Sequence, residues 1–168
     1  MSRFRRKPID NNINPTIIVW KIDPRSGIIP LLSYPDKIKE KGLKNSENAK
    51  INIFMNIIRS EKVFSNKWTI LPIHGDRLGM FYAFFSNYWY VLTLNSKDSS
   101  NLVIFTEEIL PELDNIINLY FLVRPEKKWD NSHLKTIYNK YLEFSKRITN
   151  NKSIDSQNTA HILPESSI

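Results

Sequence analysis

Three features of the 168-residue sequence predict an α+β fold, a three-layer α/β/α sandwich around a five-stranded antiparallel sheet. Five short runs rich in β-branched and aromatic residues are interspersed with stripes of apolar residues at helical spacing. The last three runs follow one another through connections of a few residues, which only antiparallel neighbours accept. The fourth run, Leu78 to Ser86, is apolar on both faces, with Met80, Tyr82 and Phe84 pointing one way and Phe81, Ala83 and Phe85 the other. Most antiparallel sheets leave one face to water, so such a strand needs a helical layer on each side.

Residues 1–15 are polar and basic and bury too little apolar area to offset the entropy of ordering; they are expected to form a flexible tail. The run Ile17-Ile18-Val19-Trp20-Lys21-Ile22 makes Thr16 to Asp23 the first strand, and Pro24-Arg25-Ser26-Gly27 supplies a tight turn. Ile28 to Tyr34 is the second strand. Pro30 makes it an edge, because proline has no amide hydrogen for a second neighbour. After a lysine-rich loop, Ser46 is the predicted cap of a helix whose residues Ile51, Phe54, Met55 and Ile58 share one face. Trp68 to Ile73, Leu78 to Ser86 and Trp89 to Asn95 form a meander, reversed at Asn87-Tyr88.

Leu78 to Leu94 is too short, too rich in aromatic and β-branched residues and too clearly divided by a turn to be a membrane span. Residues 80–90 hold seven aromatic rings and no lysine or arginine, the composition of a sheet core rather than of a base-stacking platform, and all seven rings are expected to be covered. Leu102, Phe105, Ile109, Leu113, Ile116, Ile117 and Tyr120 predict a helix from the caps Asp98, Ser99 or Ser100 to about Leu122. Pro111 either kinks it or marks its true first turn, leaving Leu102 to Phe105 extended; the kink is favoured. Leu134, Ile137, Tyr138, Tyr141, Leu142 and Ile148 predict a last helix, capped by Asn131 or Ser132. The domain thus spans residues 16–149, and residues 150–168 are expected to be a disordered polar tail.

Hydrophobic residues at 41%, charged residues at 24% and no cysteine describe a globular chain without disulfides or thiolate zinc sites. The first residues resemble no secretory signal, which predicts a cytoplasmic protein. The net charge of +7 is concentrated in residues 1–50, which hold 11 Lys or Arg against 5 Asp or Glu. Arg3, Arg5, Arg6 and Lys7, and Lys37, Lys39, Lys41 and Lys44, are either solvated or face an anionic partner, phospholipid headgroups or nucleic acid. In the membrane alternative Phe4 accompanies Arg3, Arg5, Arg6 and Lys7 at the headgroups, and the protein is peripheral to the membrane.

Catalytic chemistry has little to work with. His74, His133 and His161 lie on different elements, and Gly27, Gly42, Gly75 and Gly79 belong to no phosphate-binding loop, so no metal or nucleotide cofactor is expected. His74, Asp76 and Arg77 share a turn, but adjacent turn residues rarely converge on one point. Glu107, Glu108 and Glu112 read as acidic partners of a helix N-terminus.

The order strand, strand, helix, three-strand meander, helix, helix over residues 16–149 resembles the longin domain. The likeness rests on Ile17 to Asp23, Ile51 to Ile58, Leu78 to Leu94 and the two terminal helical stripes. The first elements also resemble the related roadblock domain, and a profilin-like relative shares the architecture. The resemblance implies a sheet ordered 2-1-5-4-3, with one helix on one face and two on the other, and no catalytic residues. It implies a non-enzymatic interaction module, homo- or heterodimeric, docking a small GTPase or another longin or roadblock subunit in a trafficking-like or GTPase-regulating complex. The contact is expected at a sheet edge, beside Pro30 or Trp68.

Overall fold

In a computed structural model, which describes residues 15–36, 38, 44–60, 67–73, 77–97 and 99–160, the five apolar runs form one sheet. Its strands are β1 (Thr16–Asp23), β2 (Gly27–Tyr34), β3 (Trp68–Pro72), β4 (Leu78–Ser86) and β5 (Tyr88–Ser96). Helix α1 (Lys44–Ser60) lies between β2 and β3 in the chain, and α2 (Ser99–Ile116) and α3 (Ser132–Ala160) follow β5. The strand order is β2-β1-β5-β4-β3 and every neighbouring pair is antiparallel. The first strand is therefore sandwiched between the second and the last.

Period-two alternation divides the interior into two cores. On one face Ile17, Val19, Met80, Tyr82, Phe84, Tyr90, Leu92 and Leu94 pack against α2 and α3, through residues such as Leu102, Leu113, Leu134 and Tyr141. On the other, Ile18, Trp20, Phe81, Ala83 and Val91 pack against Ile51, Phe54 and Met55 of α1. A helical layer on each face is what the two-sided apolarity of β4 demands. Burial of each large side chain contributes roughly 1.5–3 kcal/mol, and among the described residues Ile51, Phe54 and Met55 are the α1 side chains buried against the sheet. Within this second core the Trp20 Nε1–H donates to Thr93 Oγ1 at 2.9 Å, with both residues buried.

Turns are set by local chemistry. Asp23 Oδ1 accepts the amide hydrogens of Arg25 (2.7 Å) and Ser26 (3.3 Å), and Gly27 follows at φ 79°. A three-residue hairpin loop closed by a left-handed glycine matches the twist of the flanking strands. At the β4–β5 reversal Asn87 takes φ 64°, a conformation asparagine tolerates better than most residues.

Several expectations need correction. Helix α1 starts at Lys44, so Ser46 lies inside its first turn rather than at its cap. The favoured reading of Pro111 as a residue inside the helix holds: Leu102 to Phe105 is helical, not extended, and α2 runs through Pro111. Pro111 is exposed and the carbonyl it leaves without a donor belongs to exposed Glu107, so water can serve it. The helix continues as a π-helical turn, Ile117–Phe121. Helix α3 extends to Ala160, taking in eleven residues expected in the tail: residues 150–160 contain no glycine or proline to stop it, and residues 151–157 are all exposed, Ile154 among them. Of the seven rings between residues 80 and 90, Phe85 and Tyr88 are 57% and 47% exposed, because helical cover ends before the β4–β5 tip.

Candidate interaction surface

The two terminal strands of the sheet are β2, which carries Pro30, and β3, which carries Trp68. Backbone bonds define which amides each leaves open. The Ala83 amide donates to the Lys67 carbonyl (2.9 Å) and the Ile73 amide to the Arg77 carbonyl (3.0 Å). Bonded and non-bonded pairs alternate in an antiparallel ladder, so the pairs Thr69–Phe81 and Leu71–Gly79 between them are bonded inward. Trp68, Ile70 and Pro72 consequently turn their amide groups to the open side. Pro72 has no hydrogen to offer, which leaves Trp68 and Ile70 as the donors of this edge. Among the described residues no strand pairs with them.

The same alternation, carried across β4, β5 and β1, places Tyr34, Leu32, Ile29 and Gly27 on the bonded side of β2. Pro30 falls on the open side, next to the extra residue Leu31 that shifts the register between Val19 and Trp20. A missing donor and a bulge in mid-strand are devices that blunt an edge against pairing. The two predicted edges therefore differ: β2 is blunted, and β3, among the described residues, is open over Trp68 and Ile70. The side chains of both residues are half-buried against the α2–α3 core, so a partner would meet their backbone and the exposed rim of the indole.

The sequence pattern did not reveal a polar cluster tying the sheet to the α2–α3 connection. Lys21 Nζ lies 2.9 Å from Glu126 and 4.3 Å from the centroid of the Tyr88 ring, and the Tyr90 hydroxyl donates to Glu126 at 2.7 Å. The available signal was a lysine in an otherwise apolar strand. Nearby, the Tyr82 hydroxyl donates to Asp114. Burial foremost, then the hydrogen-bonded carboxylate, push both phenols well above the ordinary tyrosine range, so they stay protonated. They act as hydrogen-bond donors, not as bases or nucleophiles.

The remaining sequence candidates are dispersed. Arg3, Phe4, Arg5, Arg6, Lys7, His74, Asp76 and His161, with Lys37, Lys39 and Lys41, lie outside the described residues. Arg77 is exposed, and the His133 ring packs 4.1 Å from that of Tyr120. Glu108 and Glu112 do not serve a helix N-terminus: they sit well inside α2 and pair with Arg147 (3.2 Å) and Lys140 of α3. Those pairs line a groove of about 350 Å³ between the two helices, floored by Phe105 and Phe144. Among the described residues no three His, Asp or Glu side chains gather in a metal-binding group, and no helix is long and apolar enough to cross a membrane.

Comparison of the chain with protein-family models, with curated proteins and with solved structures finds no match.

Proposed function

We propose that the chain is a non-enzymatic interaction module of the longin type, which docks a small GTPase or a second longin- or roadblock-type subunit by adding a strand at β3. The observation that carries this reading is the pair of outward amides at Trp68 and Ile70 on a terminal strand, opposite a β2 edge blunted by Pro30. The strand order and the distribution of one helix on one face and two on the other agree with what the longin resemblance implies, and so support the reading at the level of fold. Strand addition draws its affinity from main-chain hydrogen bonds and its selectivity from neighbouring side chains, here the rim of Trp68.

The test is size-exclusion chromatography of the full chain with small GTPases loaded with GDP or with a non-hydrolysable GTP analogue, and of the chain alone. The Ile70→Pro variant removes an outward donor and no inward bond, so it should abolish the complex while keeping the fold. Thr69→Pro, which breaks an inward bond, should unfold the edge. A chain that stays monomeric and ignores every GTPase in both nucleotide states refutes the reading, and so does a complex indifferent to Ile70→Pro.

A further inference from the structure

Residues 116–123 read Ile-Ile-Asn-Leu-Tyr-Phe-Leu-Val, apolar on every side apart from Asn118. A helical segment of that composition is normally enclosed. Here only one side is. Ile117, Tyr120 and Phe121 are buried, whereas Leu119 and Val123 are each 74% exposed and Leu122 is 36% exposed. The Leu122 amide closes the wide turn onto the Ile117 carbonyl at 2.9 Å, and Leu119, Leu122 and Val123 are the exposed aliphatic residues within and just after this turn.

Cations border these residues. The Arg124 guanidinium lies 4.3 Å from the centroid of the Tyr120 ring, and the Arg124 carbonyl accepts the Trp129 Nε1–H at 2.9 Å, so the chain is held where it leaves the helix. Lys127 and Lys128 are exposed on the 3₁₀ turn Glu126–Lys128 that follows. The acids nearby are already engaged. Glu126 binds Lys21 and the Tyr90 hydroxyl, Asp130 accepts the Ser132 amide and hydroxyl, and Glu112 pairs with Lys140. Among the described residues none of Arg124, Lys127 and Lys128 is ion-paired.

We infer that this end of the molecule is a peripheral membrane-binding site, at which Leu119, Leu122 and Val123 enter the headgroup–acyl boundary of an anionic bilayer and Arg124, Lys127 and Lys128 lie among its phosphates. Charge complementarity selects the anionic surface. The protruding aliphatic residues select a bilayer over a folded partner, because a bilayer accepts exposed apolar side chains without pockets shaped to receive them. The inference is independent of the β3 edge.

The experiment is sedimentation of the full-length chain with vesicles of phosphatidylcholine alone and of phosphatidylcholine with phosphatidylserine in equal parts. Strong binding to the second and weak binding to the first are expected. Leu119→Ser combined with Val123→Ser should lower the affinity on the order of tenfold or more through lost apolar burial. Lys127→Gln with Lys128→Gln should lower it about 25-fold, at roughly fivefold per cation. All four positions are exposed, so far-UV circular dichroism should not change. If the serine variant binds as the parent does, the affinity resides in other basic residues, Arg3 to Lys7 among them, and the site is refuted. Absence of binding, or equal binding to both vesicles, overturns it as well.

Discussion

Thr93→Val isolates a single interaction at the centre of the sheet. Valine keeps the shape of threonine and removes only the hydroxyl that accepts the Trp20 Nε1–H at 2.9 Å. Trp20 is wholly buried and Thr93 is 1% exposed, so water cannot replace the lost acceptor. An indole N–H left unpaired in that position costs about 1–3 kcal/mol. For a chain of this length each kcal/mol lowers the melting temperature by about 2–4 °C, so a decrease of roughly 2–12 °C is expected. Urea unfolding followed by circular dichroism and by tryptophan fluorescence measures the cost. Trp20→Phe, made alone and with Thr93→Val, completes a double-mutant cycle in which the second change should cost clearly less once the first has been made. A Thr93→Val variant as stable as the parent, or costs that simply add, would refute the claim that this bond helps hold α1's side of the core.

Other perturbations probe separate parts of the fold. Phe54→Ala removes the α1 ring that packs 6.0 Å from Phe81, and should cost about 3–5 kcal/mol in urea unfolding, whereas Ile53→Ala, half exposed on the same helix, should change stability by less than about 0.5 kcal/mol. A Cβ at Gly79 would stand 2.4 Å from Ile73 Cδ1. Gly79→Ala should therefore destabilise by about 1 kcal/mol or more, and adding Ile73→Ala should lessen the cost of that step, leaving only the 3.0 Å approach to Phe81 Cε2; thermal unfolding of the single and double variants checks it. Because Tyr82 and Tyr90 hold their protons longer in the folded protein than in the unfolded chain, their contribution is complete below about pH 10 and is lost as the pH rises beyond it. Tyr82→Phe and Tyr90→Phe should flatten that alkaline decline, and urea midpoints measured across this range with an unchanged slope would contradict it.

Much of this architecture is legible in the sequence because side-chain alternation is local. Met80, Tyr82 and Phe84 against Phe81, Ala83 and Phe85 are enough to demand two helical layers, and Pro30 is enough to place β2 at an edge. The order of strands across the sheet is not a local property and rested on family likeness. Which amides face outward depends on register, and register is set by pairing between distant segments. For that reason the difference between the two edges, and the convergence of Lys21, Tyr90 and Glu126, emerge only from the structure. The exposure of Phe85 and Tyr88 escaped notice for a related reason: composition shows that rings are present, not where the helices above them end. Leu119, Leu122 and Val123 did leave a trace, an apolar run lacking the polar face that a surface helix normally keeps.

The asymmetry between the two rims limits how copies of this chain can assemble. If growth by strand pairing is available at β3 and denied at β2, two copies that meet rim to rim use up the available site on both and close about a two-fold axis. No third copy can then join, so concentration drives the protein to a finite pair rather than to a fibre. Pro30 and the extra Leu31 beside it would thus act as a terminator, letting a sheet molecule keep one sticky side without the hazard of endless polymerisation.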